Sequence, residues 1–206
     1  MTVLPRPVEP KREFIAVKDA VDRVFALVGL VVLLPLLALI CVIVKFTSRG
    51  PAFHRQLRVG RGGREFSILK LRTMVENAEG ATGPVWARDN DPRITPIGRF
   101  LRKTHMDEIP QLINVLAGEM SLVGPRPERP IFVERFKSII PGYEQRLLVK
   151  PGITGLAQVY HHYDSTIRDV RKKLAYDLLY IKKMCMMTDV VILFLTIRTL
   201  TGRGAK

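Results

Sequence analysis

A chain of 206 residues with 33 Lys and Arg against 19 Asp and Glu carries a formal net charge of +14, yet 47% of it is hydrophobic. Cys41 and Cys185 lie far apart, which excludes a disulfide framework and fits a reducing compartment. Setting aside the first fifty or so residues leaves roughly 150, enough for one globular domain, and the charge calls for an anionic partner: nucleic acid, an acidic lipid surface or a phosphorylated small molecule.

Residues 1–12 hold three prolines and mixed charge and are expected to form a flexible tail. Phe14, Val17, Val21 and Val24 recur at helical spacing, so an amphipathic lead-in continues into the uncharged stretch from Val24 to Val44. About twenty helical residues at 1.5 Å each match the roughly 30 Å hydrocarbon core of a bilayer. Pro35, at the centre, removes a backbone hydrogen bond and presses on the preceding turn. Two readings follow. Residue statistics favour a single-pass helix that tolerates its proline. The flanks favour two half-helices that dip in and return: Arg12, Lys18 and Arg23 precede the stretch and Lys45, Arg49 and Arg55 follow it, whereas a span concentrates its cations on the cytoplasmic side. The stretch is longer than a signal-peptide core and lacks a following cleavage site, so it reads as a retained anchor.

Gly50 and Pro51 close this 13–50 unit and open a second one, 51–206. Residues 52–59 and 64–72 alternate as strands about Gly60-Arg61-Gly62-Gly63, which predicts a hairpin. Residues 75–93 form a long polar loop containing Trp86. Thr95 and Pro96 supply an N-cap and a first-turn proline for a helix to about Lys103. A second helix is expected from Asp107 to about Leu116, with Pro110 in its first turn. Residues 124–127 and 150–155 read as turn-rich loops around a helix at 128–140. Asp164 and Ser165 should open a charged helix to about Met184, with Ile167, Val170, Leu174, Leu178 and Ile181 on its apolar face. Thr188 and Asp189 should cap an apolar helix from Val190 to Leu200, too short to span and so interfacial or core.

The chemistry concentrates in Asp107-Glu108. Adjacent carboxylates at a helix start have a plain use, capping free N–H groups and offsetting the helix dipole. They also suit phosphoryl chemistry, in which the helix dipole together with arginines keeps one carboxylate ionised near phosphorus and binds the displaced phosphate, while Mg²⁺ neutralises a diphosphate. Gly60-Arg61-Gly62-Gly63 lacks the Lys-Ser/Thr of a phosphate loop, and His54, His105, His161 and His162 show no zinc spacing.

Taken in order, Lys70-Leu-Arg72-Thr-Met, Arg102, Asp107-Glu108-Ile-Pro-Gln111, Gly124-Pro-Arg126-Pro127 and Lys150-Pro-Gly-Ile-Thr-Gly-Leu-Ala-Gln158 resemble the bacterial sugar transferase family, the monotopic phosphoglycosyl transferases, in their minimal catalytic form. The resemblance covers nearly the whole chain. It implies an α/β fold, mostly helical, in which a re-entrant membrane hairpin broken at Pro35 carries a small cytoplasmic catalytic domain with a short β-hairpin and interfacial helices. It implies transfer of a phosphosugar from a UDP-sugar to undecaprenyl phosphate at the bacterial inner membrane. It gives Asp107 the roles of nucleophile, through a covalent phosphosugar intermediate, and of Mg²⁺ ligand. Glu108 then assists at the metal or prepares the polyprenyl phosphate. Arg102 and Arg126 become phosphate contacts, with Lys70, Arg72 and Lys150 as further candidates; Pro125 and Pro127 frame Arg126 structurally. Relatives often carry serine before the helix-breaking proline, where this chain has Leu34. Expected partners are the nucleotide sugar, undecaprenyl phosphate and phospholipid, without nucleic acid; a homodimer is left open. The competing reading is a membrane-tethered basic module for nucleic acid or acidic lipid, which salt-dependent nucleic-acid binding would favour.

Overall fold

The computed structural model describes residues 9–10, 12–76, 78, 91–160 and 166–200. Trp86, His161, His162 and most of the 75–93 loop lie outside the described residues. Helix α1, Arg12–Thr47, is 36 residues long, about 54 Å. It continues through Pro35 as one helix, and the proline stands on its exposed side. Lys18, Asp22, Ala26, Leu37, Ile40 and Val44 form one buried stripe along it, while Val24, Phe25, Val31, Val32, Leu39 and Phe46 are exposed. The stripe packs first on Phe66, Val115 and Met120, then on Leu71 and Leu101. By length and composition, Glu13–Thr47 is the one described helix able to cross a membrane.

The expected hairpin is present. Strands β1, Phe53–Val59, and β2, Glu65–Leu71, pair antiparallel with Phe53 opposite Leu71 and Val59 opposite Glu65. Helix α2, Pro96–Lys103, starts where the sequence indicates, with Thr95 Oγ1 accepting from the Gly98 N–H at 3.0 Å. The helix expected from Asp107 is corrected. Met106–Glu108 is a single 3-10 turn, and the α-helix proper, α3, is Gln111–Leu116. The left-handed backbone at His105 (φ 55) sets a tight turn here, and Pro110, with no N–H to bond back to Met106, weakens any continuation into α3.

A feature absent from the sequence reading joins the two turn-rich segments. Ser121–Val123 (β3) and Gly152–Thr154 (β4) pair in parallel. Gly124 N–H donates to Thr154 O at 2.8 Å and Gly152 N–H to Pro125 O at 3.0 Å. A methyl group on Gly124 would sit 2.6 Å from Lys150 O, a backbone atom with no room to move. Gly124→Ala is therefore expected to cost about 1–3 kcal/mol, read as a melting temperature several degrees lower in matched detergent.

Helix α4, Pro130–Ile139, lies between β3 and β4 in the chain, and α5, Leu156–Tyr160, follows β4. Helix α6, Ile167–Lys183, is capped by Thr166 with Asp169, one step later than expected. Val170, Leu174, Leu178 and Ile181 join the main core as predicted, whereas Ile167 is exposed. Helix α7 is Met186–Leu200, so Asp189 lies inside its first turn instead of capping it. The Asp189 carboxylate is engaged by Lys18 and by Tyr180 Oη at 2.8 Å. Met187, Val190, Val191, Phe194 and Ile197 make an exposed apolar stripe on α7.

Candidate active site

The 3-10 turn that carries Asp107 and Glu108 is set by the end of α2. His105 takes a left-handed backbone (φ 55), and its N–H donates to Arg102 O at 3.2 Å. The chain then turns sharply, and both carboxylates are buried, each 8% exposed. Glu108 is held on two sides: Lys70 Nζ donates to its Oε1 at 2.6 Å and Arg126 Nη2 to the same oxygen at 2.7 Å. Burial alone would raise this carboxyl; Arg126 and Lys70 outweigh burial and hold it well below the usual carboxylate range. Glu108 in turn pushes the Arg126 guanidinium up.

Asp107 differs from its neighbour. Among the described residues no donor reaches its carboxylate. Burial pushes its pKa up; Lys70 pulls down, Glu108 pushes up, and Arg102 and His105 pull down. Arg102 is steered toward it by a bond from Nε to Thr73 Oγ1 at 2.8 Å. Burial is the largest influence and wins here; what opposes it is the cations and not a helix dipole, because α3 begins only at Gln111.

The loop that delivers Arg126 is braced at four successive carbonyls. Pro125 O accepts from the Gly152 N–H and Arg126 O from Arg146 Nη2 at 2.9 Å. Pro127 O accepts from Arg58 Nη1 at 2.9 Å and Glu128 O from the Val59 N–H at 2.9 Å. Behind it, Arg146 forks onto Asp177 at 2.8 and 2.9 Å, and Lys173 pairs with Glu128 at 2.6 Å. The sequence reading named Pro125, Arg126 and Pro127 but missed Arg58, Arg146, Lys173, Glu128 and Asp177. A charged residue at a buried helix position, Asp177 two turns after Val170, was the available signal.

Asp107, Glu108, Lys70, Arg102 and Arg126 thus come together. Two other candidates point elsewhere. Arg72 Nη2 donates to Val44 O at 3.1 Å, Ser48 O at 2.7 Å and Ser48 Oγ at 2.8 Å, fastening the end of α1. Lys150 pairs with Asp19 of α1 at 2.6 Å. Among the described residues no three His, Cys, Asp or Glu side chains are arranged to hold a metal. The unbonded Asp107 carboxylate still fits Mg²⁺, which takes one or two protein carboxylates and completes its shell with water and substrate phosphate. Glu108 fits less well, since ligation would cost it Lys70 and Arg126.

The family model for bacterial sugar transferase matches residues 13–203. The chain is 43% identical over all 206 of its residues to UDP-N-acetylgalactosamine-undecaprenyl-phosphate N-acetylgalactosaminephosphotransferase of Aeromonas hydrophila, and spans 47% of that protein. It is 42% identical over 192 residues, 92% of its length, to the UDP-glucose:undecaprenyl-phosphate glucose-1-phosphate transferase of Xanthomonas campestris, spanning 40% of it. The same-named protein of Caulobacter vibrioides is 40% identical over 185 residues, 89% of this chain and 69% of the relative. With its site geometry and this match over nearly its full length, the chain belongs to the bacterial sugar transferase family.

Proposed function

We propose that the protein transfers a sugar 1-phosphate from a UDP-sugar to undecaprenyl phosphate, giving undecaprenyl diphosphate-sugar and UMP, as the first membrane step of glycan or exopolysaccharide assembly. One observation carries this reading: Asp107 is a buried carboxylate that no donor among the described residues holds, beside a Glu108 paired with two cations. In the proposed sequence an Asp107 oxygen attacks the phosphorus next to the sugar. The new aspartyl–phosphorus bond forms as the bond to UMP breaks, and UMP departs with the electron pair. An oxygen of undecaprenyl phosphate then attacks the same phosphorus, and Asp107 is released as its carboxylate. Glu108 keeps Lys70 and Arg126 in place, and these cations with Arg102 offset the phosphate charge. Asp107 is the residue that would hold Mg²⁺, which would supply charge neutralisation for the donor's diphosphate.

We read α1 as entering and leaving the cytoplasmic face of the inner membrane. Supporting this, polar groups near both of its ends bind the same body: Lys18 and Asp22 reach Asp189 and Ser121, while Val44 O and Ser48 O bind Arg72. The exposed stripe of α7 would rest in the interface. Such an anchor brings a charged soluble donor and a lipid-borne phosphate to one site, where proximity favours transfer.

The test is UMP release across a set of UDP-sugars with undecaprenyl phosphate and Mg²⁺. At least one donor is expected to give UMP in turnover amounts only when the acceptor lipid is present. Failure of every UDP-sugar, together with salt-sensitive nucleic-acid binding, would turn the reading toward a basic binding module. For topology, cysteine tags before Arg12 and after Thr47 are both expected to react only after the cytoplasmic side is opened; labelling of one from outside restores the single-pass helix.

A further inference from the structure

Strand β2 has two edges. One pairs with β1; the other presents Ser67 C=O and Leu69 N–H on the side away from β1. Among the described residues no third strand covers that edge. A carboxamide does. Asn114, buried on α3, accepts from the Leu69 N–H through Oδ1 at 3.0 Å and donates through Nδ2 to Ser67 O at 2.9 Å. The side chain thereby imitates the peptide group of a neighbouring strand, since residues i and i+2 offer C=O and N–H to the same partner. The second Nδ2 hydrogen goes to Glu119 Oε2 at 2.7 Å, which fixes which end of the amide faces which strand atom. All of the amide's hydrogens and its oxygen are in use.

The next residue after Leu69 is Lys70, whose Nζ sits 2.6 Å from Glu108 Oε1. Glu108 and Asn114 belong to the same short segment, the turn and helix that follow α2. Asn114 therefore closes a loop of contacts: α3 grips β2 by its backbone one residue before the point where β2 grips the Glu108 turn by a side chain. Without that grip the strand edge would slide or breathe relative to α3, and a lysine on a flexible four-carbon stem would lose its fixed distance to Glu108.

We propose that Asn114 is a positioning residue of the transfer reaction, completing the outer edge of β2 so that Lys70 is held at Glu108. The link to catalysis rests on the transferase reading above; the grip on β2 does not. Asn114 touches neither carboxylate, so its effect runs through the strand.

Two measurements on the full chain in detergent test it. Hydrogen–deuterium exchange of peptides covering residues 65–72 is expected to speed up at least tenfold in Asn114→Ala, with peptides from α4 and α6 unchanged. Unchanged exchange at 65–72 overturns the grip, whether or not the protein is a transferase. In UMP-release assays with the donor that the wild type uses best, Asn114→Ala is expected to lower kcat at least tenfold with the donor KM within twofold. A loss confined to KM, or a kcat within twofold of wild type, overturns the positioning role. The isosteric Asn114→Asp carries the same two measurements if the alanine variant does not fold, since it keeps the acceptor for Leu69 but sets a carboxylate against Ser67 O and Glu119. Adding Glu119→Gln to it returns a donor to that cluster and should recover kcat at least threefold; no recovery counts against the proposal.

Discussion

Asp107→Asn is expected to lower UMP release by at least about 10³-fold, because an amide cannot supply the oxygen nucleophile. The substitution is nearly isosteric, and it breaks no hydrogen bond, since no described donor holds the native carboxylate. It does remove a negative charge that faces Lys70 and Arg102. Stability should change by only about 1 kcal/mol, so loss of turnover with a preserved melting temperature isolates the chemistry. The complementary reading uses intact mass: wild type incubated with donor and Mg²⁺ should gain the mass of a phosphosugar on the peptide containing Asp107, and the asparagine variant should not. Turnover near the wild-type rate in Asp107→Asn would remove that residue from the role. Glu108→Gln makes the contrast. Glu108 is the counter-ion of two cations, so its loss should disturb their geometry as well as activity.

Asp177→Ala should give the largest loss of stability. Asp177 and Arg146 are side chains only 2% and 3% exposed, joined by a two-pronged contact at 2.8 and 2.9 Å. Burial opposes the charge on Arg146, and Asp177 with Tyr143 and Glu128 together more than offset it, keeping the guanidinium protonated above its ordinary range. Removing Asp177 leaves that cation buried without its partner, which costs about 3–5 kcal/mol. For a chain of this size the melting temperature should fall on the order of 10 °C. Arg146 also donates to Arg126 O, so the loop that delivers Arg126 should loosen and activity should drop with it. Both contacts meet Asp177 Oδ2, so Asp177→Asn, which can keep an oxygen there but not the charge, should lie between wild type and the alanine variant. Melting within 2 °C of wild type in Asp177→Ala, about the shift for less than 1 kcal/mol, would mean that this pair does not hold the 3-10 helix that carries Arg146, Tyr143–Leu148, to α6.

What could be read in advance follows from the range of the forces involved. The β1–β2 hairpin and the start of α2 depend on neighbours a few residues away: alternation, a glycine-rich turn, a threonine followed by proline. These left their mark in the order of residues. The Asp107 turn misled, because acids before a proline suit a helix start and a 3-10 turn equally, and the backbone at His105 decides between them. The parallel β3–β4 pair has strands of three residues each, too short for any alternation to register, and it is held by glycine contacts across about thirty residues of sequence. The reactive cluster was legible as residue types: Asp107, Glu108, Lys70, Arg102 and Arg126 do meet. The division of labour was not. That Arg72 fastens α1 and Lys150 holds Asp19 depends on where an apolar helix lies against the body, and no local pattern encodes that.

The packing of α1 has a consequence for how the molecule is handled. One flank of that helix is interior: Ala26 and Val44 are fully enclosed, and Leu71, Leu101, Phe66 and Val115 close over it. A polypeptide cut to begin at Pro51 would not be a water-soluble version of the same protein. It would bare a trough of leucine, phenylalanine and valine, strand the buried Arg72 guanidinium, and leave Asp189 without its lysine. Helix α1 is thus a wall of the folded body, and excising it dismantles what it encloses.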